Sequence, residues 1–366
     1  MSLASMAALN ITGTGGIIEG NLQNSNVNVN LDAPLVFNGT NTYIDASTAE
    51  GVFTEDMAYT FSCWFKTASG TVSGGAERNI LLSVASTDGN TSYLRIGVDR
   101  RSGAGTSNPG LFYSDDRKGD VSAVGSANSL NDQSWHHVAF VRTAGAGGQN
   151  TIPYVDGVAG TTISATDPQF TAGDKVYIGM EPDGGSASDL FAGNIADVRV
   201  YNSALGATEI ETLASKIGVD NSVVQSSDTR VLHYDLTVRD STSTCAETVT
   251  SGDETDDNID TSEYRNFTNG DYVLIDDEII GPLSAVGDSG NLVGIPAGSS
   301  GRALFGTSTA EHSSGDKIFI VNIDDLSTNS NLPTLVGDLT TPSGDLDFDA
   351  FSVNVQDYTT TTDGAV

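Results

Sequence analysis

Lysine is nearly missing from this chain. Only Lys66, Lys118, Lys175, Lys216 and Lys317 occur, and Lys and Arg together number 16 against 48 Asp and Glu. The formal net charge of −32 excludes non-specific nucleic-acid binding, because one polyanion repels another. Long apolar runs are missing too. None approaches the ~20 residues that a membrane-spanning helix needs, so no membrane insertion is expected. The first nine residues, Met1 to Leu9, carry neither a basic segment nor a long apolar stretch, so they do not read as a secretion signal. Cysteine is limited to Cys63 and Cys245. Two distant thiols make no disulfide framework, and no CxxC or Cys/His spacing suggests zinc. They read as separate buried thiols rather than as one bridge.

What is abundant is aspartate: 12 of the 48 acids are Glu and the other 36 are Asp. Such a charge destabilises a compact state at low ionic strength and is screened within a few ångströms in concentrated salt. Two settings fit equally well, a marine or hypersaline medium and an ordinary acidic exported protein. The charge does not imply disorder. Apolar residues make up 38% of the chain, and they are gathered in short β-branched and aromatic runs.

Those runs include Tyr59 to Phe65, Asn79 to Val84, His137 to Val141 and Lys175 to Gly179. Their length and composition predict strands, and the Gly, Ser, Thr, Asn and Asp turns between them predict an all-β sandwich or barrel. One short helix is expected over Ala207 to Ala214, with Thr208 as N-cap and Glu211 three residues on. The chain divides into an N-terminal arm or edge strand (1–30), a strand-dense region (31–217) and a second β-rich region (218–366) for docking or oligomerisation. In the last, residues 251–260 form an acidic, solvated loop. Alternation from Ile318 to Val321 and from Phe348 to Val355 predicts further strands that close a second sandwich or join an inter-subunit sheet.

Four segments in order carry a family resemblance. They are Leu35-Val36-Phe37-Asn38-Gly39 with Tyr43-Ile44; Phe61-Ser62-Cys63-Trp64-Phe65-Lys66; Trp135-His136-His137-Val138-Ala139 with Tyr154-Val155-Asp156-Gly157; and Phe191-Ala192-Gly193 leading through Asp197-Val198-Arg199-Val200-Tyr201-Asn202 to Glu209-Ile210. Residues 35–215 thereby resemble the laminin G-like, concanavalin A-like lectin family, which implies an antiparallel jelly-roll sandwich. Taken as residues, Gly157 supplies the positive φ of a tight hairpin turn. Trp64 and Trp135 read as core packing rather than as a sugar platform. His136 and His137 point to opposite faces, one buried and one exposed, with no shared metal. Asp197 and Arg199 share a face and read as a surface pair of little energetic value.

The resemblance implies calcium at the sandwich rim, held by oxygen ligands. Asp88, Asn90, Asp183 and Asp189 are its candidates, with Asp115 and Asp116 also on loops. It also implies glycan contact there, for which Tyr93, Arg95, Phe112 and Tyr113 are the aromatic and cationic candidates. In the last region, Gly270-Asp271-Tyr272-Val273-Leu274-Ile275-Asp276-Asp277-Glu278-Ile279-Ile280 and, about twenty residues on, Arg302-Ala303 with Gly306-Thr307, Ala310, His312 and Gly315 resemble a small β-module of tailed-virus virion proteins. That module has Arg-Gly where this chain has Arg302-Ala303. His312 reads as packing or capping, since no Ser, Cys or Asp constellation accompanies it.

No nucleophile elbow, HExxH, P-loop or dinucleotide fingerprint occurs. Of the carboxylate clusters that a glucanase would need, Asp253-Glu254 and Asp256-Asp257 lie in a turn-like loop, and Asp276-Asp277-Glu278 lies in a strand–turn run that resembles a non-enzymatic module. The expectation is a non-catalytic structural protein on the surface of a virion, as capsid turret, decoration or head or tail fibre. Its partners are other virion proteins, a host cell-surface glycan or glycoprotein, and copies of itself in a trimer or pentamer. A secreted cellular lectin or adhesin is the alternative, and a glycoside hydrolase ranks third.

Overall fold

The computed structural model describes residues 32–67, 78–86, 93–99, 110–124, 130, 132–145, 148–171, 173–225, 227–249, 258–264, 267–276, 278–283, 286, 292–294, 301–304, 307–323, 325–327, 329, 331 and 333–336. The expected N-terminal arm, Asp88, Asn90, most of the acidic loop and the strand expected over 348–355 lie outside these residues.

In chain order the strands are β1 (Asp32–Asn38), β2 (Tyr43–Asp45), β3 (Tyr59–Thr67), β4 (Arg78–Ala85), β5 (Tyr93–Asp99), β6 (Leu111–Asp115), β7 (Val121–Val124), β8 (Trp135–Arg142), β9 (Gln149–Val155), β10 (Val158–Ala159), β11 (Ile163–Thr166), β12 (Lys175–Ile178), β13 (Glu181–Asp183), β14 (Ser186–Ser188) and β15 (Ala192–Tyr201). Helices α1 (Ala207–Leu213) and α2 (Asn221–Val224) follow. Then come β16 (Arg230–Tyr234), β17 (Thr237–Thr244), β18 (Asn258–Asp260), β19 (Tyr272–Ile275), β20 (Glu278–Ile280), β21 (Leu292–Gly294), β22 (Lys317–Asn322) and β23 (Thr334–Val336).

Every strand pairing is antiparallel. The back sheet runs β10-β9-β8-β3-β15-β1-β17-β22-β19-β20, with β11 on β9 and β16 on β15. The front sheet runs β23-β2-β12-β4-β5-β6-β7. Alternate residues of both sheets meet in one core. Phe61, Phe65, Phe140, Ile195 and Val198 come from the back, and Leu82, Val84, Ile96, Val98 and Tyr113 from the front. This is the concanavalin A-like sandwich. A fully buried Phe contributes roughly 1.5–3 kcal/mol. The aromatic core therefore outweighs α1, which buries only Ile210 and Leu213.

The helix starts two residues earlier than Thr208 suggests. Gly206 is the N-cap, and its N–H donates to the Glu209 carboxylate at 2.6 Å. Glutamate at N3 is what a capping box requires, so Glu209 caps the helix and Thr208 lies inside it. The Asp156-Gly157 turn has φ of +49° and +79°, the conformation of a tight two-residue hairpin. Cys63 and Cys245 are free and buried.

Among the described residues beyond 217, β18 and β21 pair in a two-stranded sheet of their own, and the other strands join the two sheets of the sandwich. Strand β16 pairs with β15, β17 with β1, and β23 with β2. Strands β19 and β22 bury both faces. Leu274, Phe319 and Val321 join the main core. Val273, Ile275, Ile318 and Ile320 form a second one with Cys245, Val249, Ile259, Phe267 and Leu283. No helix among the described residues is long and apolar enough to cross a membrane.

Candidate functional site

On the front sheet, registered residues share a face. Tyr177 of β12 lies opposite Ser83 of β4, Ser83 opposite Arg95 of β5, and Arg95 opposite Ser114 of β6. This polar row crosses four strands on the face turned away from the core. Tyr93 lies two residues from Arg95 on the same face, and the Arg95 guanidinium stacks on its ring at 4.4 Å. Tyr43 meets Tyr177 edge to face at 6.2 Å.

The hairpin β13–β14 supplies the acids. Glu181 forms an ion pair with Arg95, and the Met180 carbonyl accepts from Ser83 Oγ at 2.8 Å. Arg78 pairs with Asp120 and reaches Asp189 at 4.0 Å. Burial pushes the Glu181 carboxyl up to about 7, against the pull of Arg95. Ser83, Ser114 and Glu181 are buried with partners of their own, which leaves the half-buried Tyr43, Tyr93 and Arg95 as the groups of this face able to stack on or hydrogen-bond a sugar.

Of the expected glycan contacts, Tyr93 and Arg95 are half-buried on this face. Phe112 and Tyr113 are fully buried and must be removed from the set. Phe112 lies beneath the Arg78 guanidinium at 4.4 Å and opposite Gly97. A Cβ at Gly97 would run into the Asn79 carbonyl oxygen, so the bare glycine leaves room for close backbone approach. Tyr113 points into the main core and donates to Asp115 at 2.8 Å. Successive strand residues face opposite ways, and here Arg78 lies over Phe112 on one side while the core encloses Tyr113 on the other.

Of the expected calcium ligands, Asp183 is exposed at the end of β13 and Asp189 turns toward Arg78. Both lie close enough to Glu181 for their charges to raise its pKa. Their oxygen chemistry suits a hard cation, but the guanidiniums of Arg78 and Arg95 already share this hairpin. Asp115 is buried under Tyr113 and caps the following turn, accepting from Arg117 N at 3.0 Å. Asp116 accepts from Gln169 N at 2.9 Å.

The Asp197–Arg199 pair is not a surface pair. Both side chains are buried, and Arg199 Nε and Nη2 reach the carboxylate at 2.6 and 3.1 Å. Asp197 also meets His233 Nε2 at 2.9 Å and accepts from Gly218 N at 3.0 Å. Burial works against its charge, but Arg199 and His233 hold the carboxyl well below the usual range. His136 and His137 are both buried, unlike the one-in, one-out expectation. His136 sits between Asp156 at 2.9 Å and Asp132 at 3.2 Å. Trp64 and Trp135 pack with Ala196 and Ile217.

A second hub gathers the residues of the virion-module resemblance. Glu278 takes Arg302 Nε and Nη2 at 2.6 and 2.7 Å, Ala303 N and Ala310 N at 2.9 Å each, and meets His312 Nε2 at 3.0 Å. Burial opposes its charge, yet Arg302, His312 and the two amides bring the carboxyl down to about 2.

Residues 38–211 match the family model of the concanavalin A-like lectin/glucanases superfamily. No curated protein sequence matches the chain. Among solved structures, the chain is similar to a native heptameric SAP-like pentraxin from Limulus polyphemus, at 16% identity and a TM-score of 0.38, over 50% of this chain and 82% of that one. It is also similar to the CBM40 of the Ruminococcus gnavus IT-sialidase, at 16% identity and a TM-score of 0.37, over 50% of this chain and 97% of that one. Domain 4 of an extracellular arabinanase from Geobacillus stearothermophilus, in complex with arabinotriose, shares 19% identity at a TM-score of 0.35, over 49% of this chain and 75% of that one.

Proposed function

We propose that this chain is a non-catalytic structural protein on the surface of a tailed-virus particle, and that its sandwich presents the outer face of the front sheet to glycans of the host envelope. The observation that carries the glycan reading is Tyr93 stacked on Arg95, both half-buried on the outer face of the front sheet. The lectin/glucanase family match over 38–211 supports it. The virion reading rests on the resemblance of the last region, whose quoted residues Glu278, Arg302, Ala310 and His312 assemble into one buried hub, and on the Asp-rich, Lys-poor composition that suits a salty medium. Other virion proteins and further copies of the chain are its partners. Several weak glycan sites in one cyclic oligomer then give useful avidity. Calcium belongs to the same proposal, with Asp183 and Asp189 as its described donors.

Two measurements test it. Light scattering in molar salt, with and without a chelator, is expected to give a discrete trimer or pentamer; a monomer in every condition overturns the self-assembled appendage. Binding to host-envelope glycans is expected to fall at least tenfold in Arg95→Ala and Tyr93→Ala, and unchanged binding removes this face as the site. Release of reducing sugar, abolished in Glu181→Gln, would replace the non-catalytic reading with a hydrolase in which Glu181, raised to about 7, is the acid.

A further inference from the structure

Two groups among the described residues bring a histidine nitrogen and two carboxylate oxygens within 4.8 Å of one another: Asp197, His233 and Asp235, and Asp276, His312 and Asp316. Hydrogen bonding separates them. In the first, His233 Nδ1 meets Arg230 Nη1 at 2.8 Å. Arginine only donates, so Nδ1 is the acceptor and the proton sits on Nε2. That proton points at Asp197 and Asp235, at 2.9 and 3.2 Å. Asp197 is already filled by Arg199 and Gly218. This group offers no lone pair to a cation.

The second group is wired the other way round. His312 Nε2 faces the buried, ionised Glu278 at 3.0 Å. Glu278 accepts from Arg302, Ala303 and Ala310 and has no proton to give, so His312 Nε2 must be the donor. The nitrogen aimed at the two aspartates is therefore Nδ1, which lies 2.9 Å from Asp276 Oδ2. A buried carboxylate fixing one ring nitrogen while the other faces carboxylate oxygens is the second-shell arrangement that orients metal-ligating histidines. Asp276 is exposed and Asp316 half-buried, so an ion has an entry path. Their backbones are fixed: the Asp316 carbonyl accepts from Cys245 N at 2.9 Å, and His312 exchanges two 2.8 Å bonds with Val249.

We propose that Asp276, His312 and Asp316 form a binding site for one divalent first-row transition ion. An imidazole nitrogen with two carboxylates favours such ions over calcium or magnesium, which take all-oxygen sets. Bound there, the ion takes the place of the proton between His312 Nδ1 and Asp276. It ties the β19–β20 hairpin to the 312–316 loop, independently of the glycan face.

Cobalt(II) is the probe, titrated into the full chain at high salt to screen uptake by other carboxylates. The expected result is one ion per chain with a visible spectrum distinct from the hydrated ion. Affinity should fall at least tenfold in Asp276→Asn and in Asp316→Asn, and hold in Glu311→Gln, which removes an equal charge from the exposed neighbour of His312. Asparagine tolerates the positive φ of +51° at position 276, and thermal melts establish that the variants fold. A spectrum unchanged from the hydrated ion, equal weakening by all three substitutions, or displacement by equimolar calcium each overturns the proposal.

Discussion

Arg199 and Asp197, two residues apart on β15, clasp each other inside the protein. A straight strand would put both on one face, but the pairing of β15 with β3 slips between Ala196 and Arg199, and Asp197 has a φ of +51°. The irregularity turns the carboxylate toward the guanidinium, His233 and the Gly218 amide. The hub thus joins β15, β16 and the segment after α1. Removing one partner of a buried ion pair costs about 3–5 kcal/mol, because it strands the other charge. Asp197→Asn should lower stability by that amount in chemical denaturation; a loss under about 1 kcal/mol would mean that the pair carries no such charge cost.

Neighbouring histidines should titrate at opposite ends of the scale. Burial depresses His137 to about 4, whereas His136 is held above its ordinary value by Asp156 and Asp132 despite burial. The unfolded value of each is about 6.5. Between about 4 and 6.5 the unfolded chain binds the His137 proton and the folded one does not, so this residue makes stability rise with pH there. His136 acts in reverse: its contribution is complete below about 6.5 and is lost as pH rises through its raised folded value. Imidazole proton shifts across a pH series would resolve the two, and a shared midpoint would contradict the assignment.

Ala303 occupies a left-handed conformation, with φ of +52°, which glycine adopts without strain. The alanine bears the strain of that conformation. A left-handed L-residue costs roughly 1–2 kcal/mol, and glycine returns part of that as unfolded-chain entropy. Ala303→Gly should therefore stabilise the protein by about 0.5–1 kcal/mol, visible as a higher melting temperature. A lower one would show that the alanine methyl packs usefully.

Gly97→Ala should do the opposite. Its Cβ meets backbone, the Asn79 carbonyl, which cannot rotate away. Overpacking of this kind costs about 1–3 kcal/mol and would part β4 from β5 beneath Arg95. A denaturation midpoint unchanged from wild type would show that the strands can shift without cost.

Much of the sandwich is legible in the residues. The runs at 59–65, 79–84 and 137–141 fall within β3, β4 and β8, and the run at 175–179 overruns β12 by one residue, because β-branched and aromatic residues suit a pleated, buried surface. What covers a strand is not legible. Phe112 and Tyr113 alternate as any strand pair does, and only the fold shows that Arg78 lies over the one and the core encloses the other. The burial of a charge pair is hidden for the same reason. The spacing of Asp197 and Arg199 is visible, but their burial depends on a register slip and on His233, which arrives from another strand. Likewise α1 reads as an ending, and nothing in its sequence announces that β16 returns to β15.

Strand β1 lies between β15 and β17, and β2 lies between β12 and β23. The earliest described strands thus wait for the latest ones. A ribosome making this chain must deliver Arg239 before β1 has both neighbours, and Val336 before β2 has both. Until then the nascent polypeptide holds open edges that invite pairing with another copy. Such long-range closure makes maturation slow and postpones the completion of both sheets until residue 336 has emerged.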